Sequence, residues 1–296
     1  MHRPDDLWEF WDRTRDELDA VAPAPVITPA PEKSSEFALF YHVRINSFGG
    51  QAIHCWYAMP PVSPDVQLAG LLWSPGYNGA ADPIQIIPWV RRGYAVLLVI
   101  PRGQGDTAYP EGSKGKVAYN CTDRETYAYR SVYMDCLRGL QFLRNQPEVH
   151  PHRIAITGGS QGGGLTLATT ALSREPVSVA AAHIPFIGSF DRVIDEQVET
   201  NPYCELTDYL RANPSHTQKA RETLRYFDPL YLVDHIECPL FMTAGMKDER
   251  CPEWTIRPVF DQVRTKKQFL ADPEMGHEWP EYVNELMHSW LSMHLR

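Results

Sequence analysis

No two cysteines of this 296-residue chain stand in Cys-x-x-Cys spacing; the six lie at positions 55, 121, 136, 204, 238 and 251. That argues against a structural zinc site, whose ligands come in such pairs. No run of Lys or Arg is present either, and 28 basic against 37 acidic residues leave a net charge of −9. An acidic chain without a basic patch cannot neutralise many phosphates, so nucleic acid and an anionic membrane surface are not expected as partners. No apolar stretch reaches the roughly 20 residues of a bilayer span. The start, Met1-His2-Arg3-Pro4-Asp5-Asp6, is charged and leads into no apolar segment, unlike a secretory signal. The expected setting is a reducing cytoplasm with free, buried thiols. Internal repeats and low-complexity tracts are missing too.

What the chain does have is enough apolar residues, 43%, for a large core. Residues 5–18 read as a short amphipathic helix with Leu7, Phe10, Trp11 and Leu18 on one side and Asp5 as its cap. The stretch 22–31 carries four prolines and reads as an extended connector, so 1–35 forms a helix and a linker. Strand-like runs follow at 37–46, 52–59 and 68–73, the first two divided by Gly49-Gly50 as in an antiparallel hairpin. Beyond Ala95–Ile100, a continuous apolar run, strands alternate with helices: helix 122–145, strand 153–157, helix 162–173, strands 177–184 and 239–244, helix 254–264, strand 267–271 and helix 279–293. That rhythm predicts one α/β domain with a mostly parallel, doubly wound sheet and an antiparallel N-terminal hairpin. Residues 188–235 contain helical patterns only and are expected to form a cap over the carboxyl edge of the sheet, where ligands bind in such folds.

The most informative stretch is Ile154-Ala155-Ile156-Thr157-Gly158-Gly159-Ser160-Gln161-Gly162. A buried strand meets a helix through Gly158-x-Ser160-x-Gly162, the pattern of a nucleophile elbow. The glycines allow strand and helix backbones to approach closely, and Ser160 is left at the helix N-terminus, where a developing oxyanion is favoured. A serine hydroxyl needs a base and a carboxylate to orient that base. Asp248 lies just past the strand 239–244; its rival Asp272 follows the next strand. His277 lies in the loop after 267–271, ahead of the last helix. His183, at the end of 177–184, is its competitor, whereas His288 and His294 sit on the final helix. Glu278 is either support for His277 or part of the next helix. The oxyanion donors are expected to be the N–H groups of Gln161 and Tyr77, the latter in the loop Ser74-Pro75-Gly76-Tyr77-Asn78-Gly79. Arg102, in Arg102-Gly103-Gln104-Gly105, reads as a brace that bridges to a carboxylate.

Taken together, Arg102-Gly103-Gln104-Gly105, Gly158-Gly159-Ser160-Gln161-Gly162 and His277-Glu278 resemble the Arg-Gly-Gln-Gly, Gly-x-Ser-Gln-Gly and His-Glu motifs of carbohydrate esterase family seven. That family comprises the acetyl xylan esterases and cephalosporin-C deacetylases of the α/β-hydrolase superfamily. Gly76-Tyr77-Asn78-Gly79 resembles its oxyanion loop, and Asp248 falls at its acid. Similarity extends to 123–130, Asn201-Pro202-Tyr203 and Phe10-Trp11, so it spans nearly the whole chain. The sequence departs from the pattern at Pro75, where the family has His, and at Trp279-Pro280-Glu281, where it is rich in glycine. The resemblance implies a serine esterase that removes acetyl groups from small acetylated molecules such as sugars, with no cofactor and no metal, and assembled as a homo-oligomer, in the family a hexamer. The rival readings are a peptidase or longer-chain esterase on the same sheet, and a non-catalytic binding protein.

Overall fold

The computed structural model describes residues 2–77, 82–105 and 116–295. Nine strands form one sheet: β1 (Val26–Pro29), β2 (Leu39–Asn46), β3 (Ala52–Met59), β4 (Leu68–Ser74), β5 (Tyr94–Ile100), β6 (Val149–Gly159), β7 (Val179–His183), β8 (Leu240–Gly245) and β9 (Lys267–Asp272). Their order is β1-β2-β3-β5-β4-β6-β7-β8-β9. β1, β2, β3 and β5 pair antiparallel, and every pairing from β5 through β4 to β9 is parallel. This is the mostly parallel α/β sheet with an antiparallel N-terminal hairpin that the sequence predicts.

The central strands are buried on both faces because helices cover both sides, and successive residues feed different cores. Leu97 and Val99 pack with Ile154 and Ile156 on one side. Val96 and Leu98 pack with Ala155, Val179 and Phe241 on the other. The first side is closed by α1 (Leu7–Asp19), α3 (Ala128–Arg144) and α4 (Gln161–Leu172), the second by α2 (Ile87–Arg91) and α9 (Glu281–His294). Between β7 and β8 the described elements are helical, including α5 (Phe190–Asp195), α6 (Tyr203–Ala212) and α7 (Thr217–Leu224); α8 (Glu253–Gln262) follows β8.

Some boundaries differ from the sequence reading, each for a local reason. The connector contains β1, an edge strand with Val26 and Ile27 exposed. Its prolines are tolerated because an edge strand has one unpaired side. Asp5 does not cap α1. The capping position is Asp6, whose carboxylate accepts instead from Arg124 at 2.8 Å and from the Tyr226 hydroxyl, a charge-assisted alternative to a cap. α3 starts at Ala128, since Asp123 holds the preceding residues in turns by accepting from the N–H of Glu125 and the hydroxyl of Thr126. α9 starts after Pro280, which disfavours helical geometry at Trp279.

The parallel pairings align Ser74 with Gly158, Gly159 with His183, and Gly245 with Asp272. The loops after β4, β6, β7, β8 and β9 therefore leave the sheet along one edge. Residues 160, 248 and 277 lie in three of them.

Candidate active site

Ser160 stands alone between β6 and α4 with φ 54° and ψ −122°. Such a backbone costs a non-glycine residue about 1–3 kcal/mol and persists only when its surroundings enforce it. Here the Ser160 N–H donates to the His183 carbonyl at 3.0 Å, and the Ser160 carbonyl accepts from Gly164 and Phe186 at 3.1 and 2.9 Å. A Cβ at Gly158 would lie 2.7 Å from the Gly162 carbonyl, and one at Gly162 would lie 2.0 Å from the Ser74 carbonyl oxygen. Neither position admits a side chain without separating strand from helix.

Behind the serine, Asp248 is fully buried and divides its oxygens between two tasks. Oδ1 accepts from the N–H groups of Arg250 and Cys251 at 2.8 and 2.9 Å. Oδ2 meets His277 Nδ1 at 2.8 Å. Burial pushes this carboxyl up, but the bond to His277 and the two backbone donors outweigh it, and its pKa lies below the usual range. The imidazole side chain is about 20% exposed and, with Ser160, lines a cavity of about 480 Å³. Trp73, Trp89 and Trp279 wall that cavity, with Gln85, Arg92 and Asn284 among its polar lining. A larger hollow, about 730 Å³, is bordered by α1 and α3 and contains none of the candidate residues.

The loop after β4 runs beside the nucleophile: a Cβ on Gly76 would come within 4.0 Å of Ser160 Cβ. Residues 78–81 of that loop, and with them Asn78-Gly79, lie outside the described residues. Gly76 and Gln161 are joined by a single chain of hydrogen bonds. Tyr129 donates to Gln161 Oε1 at 3.1 Å, Gln161 Nε2 to Gln104 Oε1 at 2.9 Å, and Gln104 Nε2 to the Gly76 carbonyl at 2.6 Å. Tyr77, the next residue, donates its hydroxyl to Glu205 of α6 at 2.5 Å and accepts from the Lys116 N–H at 2.9 Å. Arg102 does not reach this chain. It forks onto Asp135 of α3 at 2.7 and 2.8 Å and donates to the Phe48 carbonyl, while Ser47 also donates to Asp135. Arg102 thereby ties β5 to α3 and the β2–β3 turn.

The model of the acetyl xylan esterase (AXE1) family matches residues 1–294. The chain belongs to that family. This acetyl xylan esterase family member is 21% identical over 303 residues to the acetyl esterase Axe7A of Xylanibacter ruminicola, an alignment covering 99% of this chain and 68% of that protein. Among solved structures, it is 28% identical to acetyl xylan esterase 1 of a Thermoanaerobacterium species, with a TM-score of 0.90 and 98% and 93% of the two chains covered. The acetyl xylan esterase of a Paenibacillus species gives 28% identity, a TM-score of 0.92 and coverages of 99% and 96%. The protein is accordingly an esterase on an α/β-hydrolase fold.

In this esterase the competing residues are placed elsewhere. His183 is fully buried, with Nδ1 2.6 Å from Thr243 Oγ1 and Nε2 2.8 Å from the Glu278 carbonyl. Asp272 accepts from the Tyr282 hydroxyl and from the N–H groups of Glu274 and Met275. His288 sits near the rings of Trp89 and Tyr94, and His294 Nδ1 faces the Trp290 carbonyl. Glu278 is exposed and contributes its carbonyl, which holds His183 in place.

Two residues next to the site were given no functional role in the sequence reading. Cys251 follows Asp248 by three positions in a turn, with no periodic pattern. Trp279 was visible only as a departure from the family motif; its ring packs against Gly159, 6.3 Å from Trp73 and 4.7 Å from His183.

Burial pushes the His183 imidazole down to about 4 from 6.5. The unfolded chain takes up this proton below about pH 6.5, the folded one only below about pH 4. Stability contributed by the neutral ring is therefore present above pH 6.5 and lost as pH falls through that window, by about 3 kcal/mol in all. Urea unfolding at pH 7 and pH 4.5 is expected to show a steeper acid loss in the native protein than in His183→Gln. Equal losses would refute this.

Proposed function

We propose that the protein is a serine acetylesterase that frees acetyl groups from O-acetylated saccharides or similarly small polyols through an acyl-enzyme. The observation that carries the reading is the joint opening of Ser160 and His277 onto one tryptophan-walled cavity of about 480 Å³, with Asp248 fixed behind the imidazole. A cavity of this size suits one or two sugar rings, and aromatic walls with a few amide and guanidinium groups suit a polyol with alternating C–H and O–H surface.

In this mechanism His277 takes the Ser160 proton as the hydroxyl attacks the ester carbonyl. Asp248 keeps the proton on Nδ1, so that Nε2 is the acceptor, and stabilises the imidazolium. The N–H groups of Gln161 and Tyr77 receive the oxyanion. The alcohol leaves with the proton from His277, and water, activated by the same base, releases acetate. Gln104 holds the two donor segments in register, Arg102 braces the sheet edge behind them, and Gly158 and Gly162 permit the turn. Residues 188–235 act as a cap within a single domain, a reading supported by the contact between Glu205 and Tyr77. A homo-oligomeric assembly and a cytoplasmic setting belong to the same proposal and rest on the family resemblance and the sequence.

Acetate release from acetylated xylo-oligosaccharides and from cephalosporin-type acetates, run beside aryl acetyl, butyryl and octanoyl esters and a peptide anilide, tests the substrate class. Acetyl esters are expected to exceed octanoyl esters in kcat/KM by at least about a hundredfold, since several extra methylenes must find room. Preference for the octanoyl ester or the anilide would remove the deacetylase reading.

A further inference from the structure

Cys251 is the unused nucleophile of this site. Its side chain is fully buried, and burial raises its thiol well above the ordinary value, so it is held as S–H and not as a reactive thiolate. It also lies beside Ser160. A ligand atom from each of Asp248, Cys251 and His277 lies within 4.8 Å of the other two. Carboxylate oxygen, thiol sulfur and imidazole nitrogen are the three donor types that zinc takes in proteins, at about 2.0–2.3 Å. A tetrahedral ion with such bonds needs its ligands about 3.4–3.8 Å apart, so an adjustment of about 1 Å is needed: Asp248 Oδ2 and His277 Nδ1, now 2.8 Å apart, open to admit the ion while the wider spacings close. The imidazole is the member free to make it, being partly exposed and carried on a loop.

We propose that Asp248, Cys251 and His277 form a capture site for one soft divalent cation, Zn²⁺ or Cd²⁺, whose occupancy excludes catalysis. Binding exchanges the Cys251 S–H proton, released to solvent, for a sulfur–metal bond; no electron is transferred. The ion also takes a lone pair of a neutral imidazole. Whichever ring nitrogen it occupies, the other carries the remaining proton, so His277 has no lone pair left for the Ser160 proton. The thiolate is what selects the ion. Hard cations such as Mg²⁺ and Ca²⁺ prefer all-oxygen sets and are not held.

The inhibition arm rests on the role proposed for His277; the binding arm does not. Titration of the full-length protein with CdCl₂ is expected to give an ultraviolet thiolate-to-cadmium band with one ion bound. ZnCl₂ is expected to inhibit acetyl-ester hydrolysis reversibly, with recovery on adding a chelator and no effect of MgCl₂. In Cys251→Ser the band is expected to vanish, and the zinc inhibition constant, referred to that variant's own basal rate, to rise at least tenfold. Cys204→Ser, which alters the half-buried thiol of α6, is expected to retain both. A band or an inhibition constant unchanged in Cys251→Ser, or a band lost in Cys204→Ser, overturns the proposal. A cadmium band that requires Cys251 in a protein inactive on acetyl esters would uphold the site and reject the esterase mechanism instead.

Discussion

Replacing Ser160 with alanine is expected to reduce turnover of an acetyl ester by about a millionfold. In serine hydrolases removal of the nucleophile costs about 10⁶ in kcat, or roughly 8 kcal/mol of transition-state stabilisation, because base and acid then have no hydroxyl to activate. The structure makes this a clean experiment. Alanine keeps the Cβ that the strained backbone already accommodates, and the bonds that enforce φ 54° come from the main chain of His183, Gly164 and Phe186. The fold and the cavity should persist, and unfolding midpoints of variant and parent should agree to within a few degrees. A fluorophosphonate probe should label the parent and not the variant. Retention of more than about 1% of the activity in a folded Ser160→Ala protein would sink the assignment of the nucleophile.

Asp248→Asn is expected to cost about 10⁴-fold in kcat while leaving the site geometry nearly unchanged. The reason lies in how the carboxylate is held. Oδ1 accepts from two backbone N–H groups, those of Arg250 and Cys251. In asparagine only the carbonyl oxygen can take that position, so the amide NH₂ must turn toward His277. Nδ1 then becomes an acceptor, the imidazole proton moves to Nε2, and the ring presents a donor where catalysis needs an acceptor. KM should change little, since the cavity walls are untouched. A fall of less than about tenfold in kcat would mean that Asp248 does not set the tautomer.

The sequence made some of this legible and hid the rest for identifiable reasons. Ser160 is written locally: a buried β-branched run, two glycines at fixed offsets and a helix determine the turn. Asp248 and His277 can be read only as residues just past strand ends. Their 2.8 Å contact depends on β8 and β9 being parallel neighbours, which a one-dimensional pattern implies without fixing. β1 was hidden because Pro29 within it and Pro25 just before it outweigh its short apolar content, and only an edge position reconciles the two. Asp135, which holds Arg102 from inside α3, looks like an ordinary helix residue until the fold buries it. His183 has the position expected of a base, and only its two bonds, to Thr243 and to the Glu278 carbonyl, disqualify it.

The Tyr129–Gln161–Gln104–Gly76 chain has a polarity, since each amide spends its oxygen on one neighbour and its nitrogen on the next. It therefore works as a one-way strut that cannot be reversed by flipping a single side chain. Two of the wall tryptophans, Trp89 and Trp279, share none of these bonds and come from other segments, α2 and the residues just before α9, whereas Trp73 lies in β4, ahead of the Gly76 loop. Laboratory evolution toward new alcohol preferences can thus recarve residues 85, 89 and 279 while codons 104 and 161 stay frozen, and adaptation of selectivity need not erode rate.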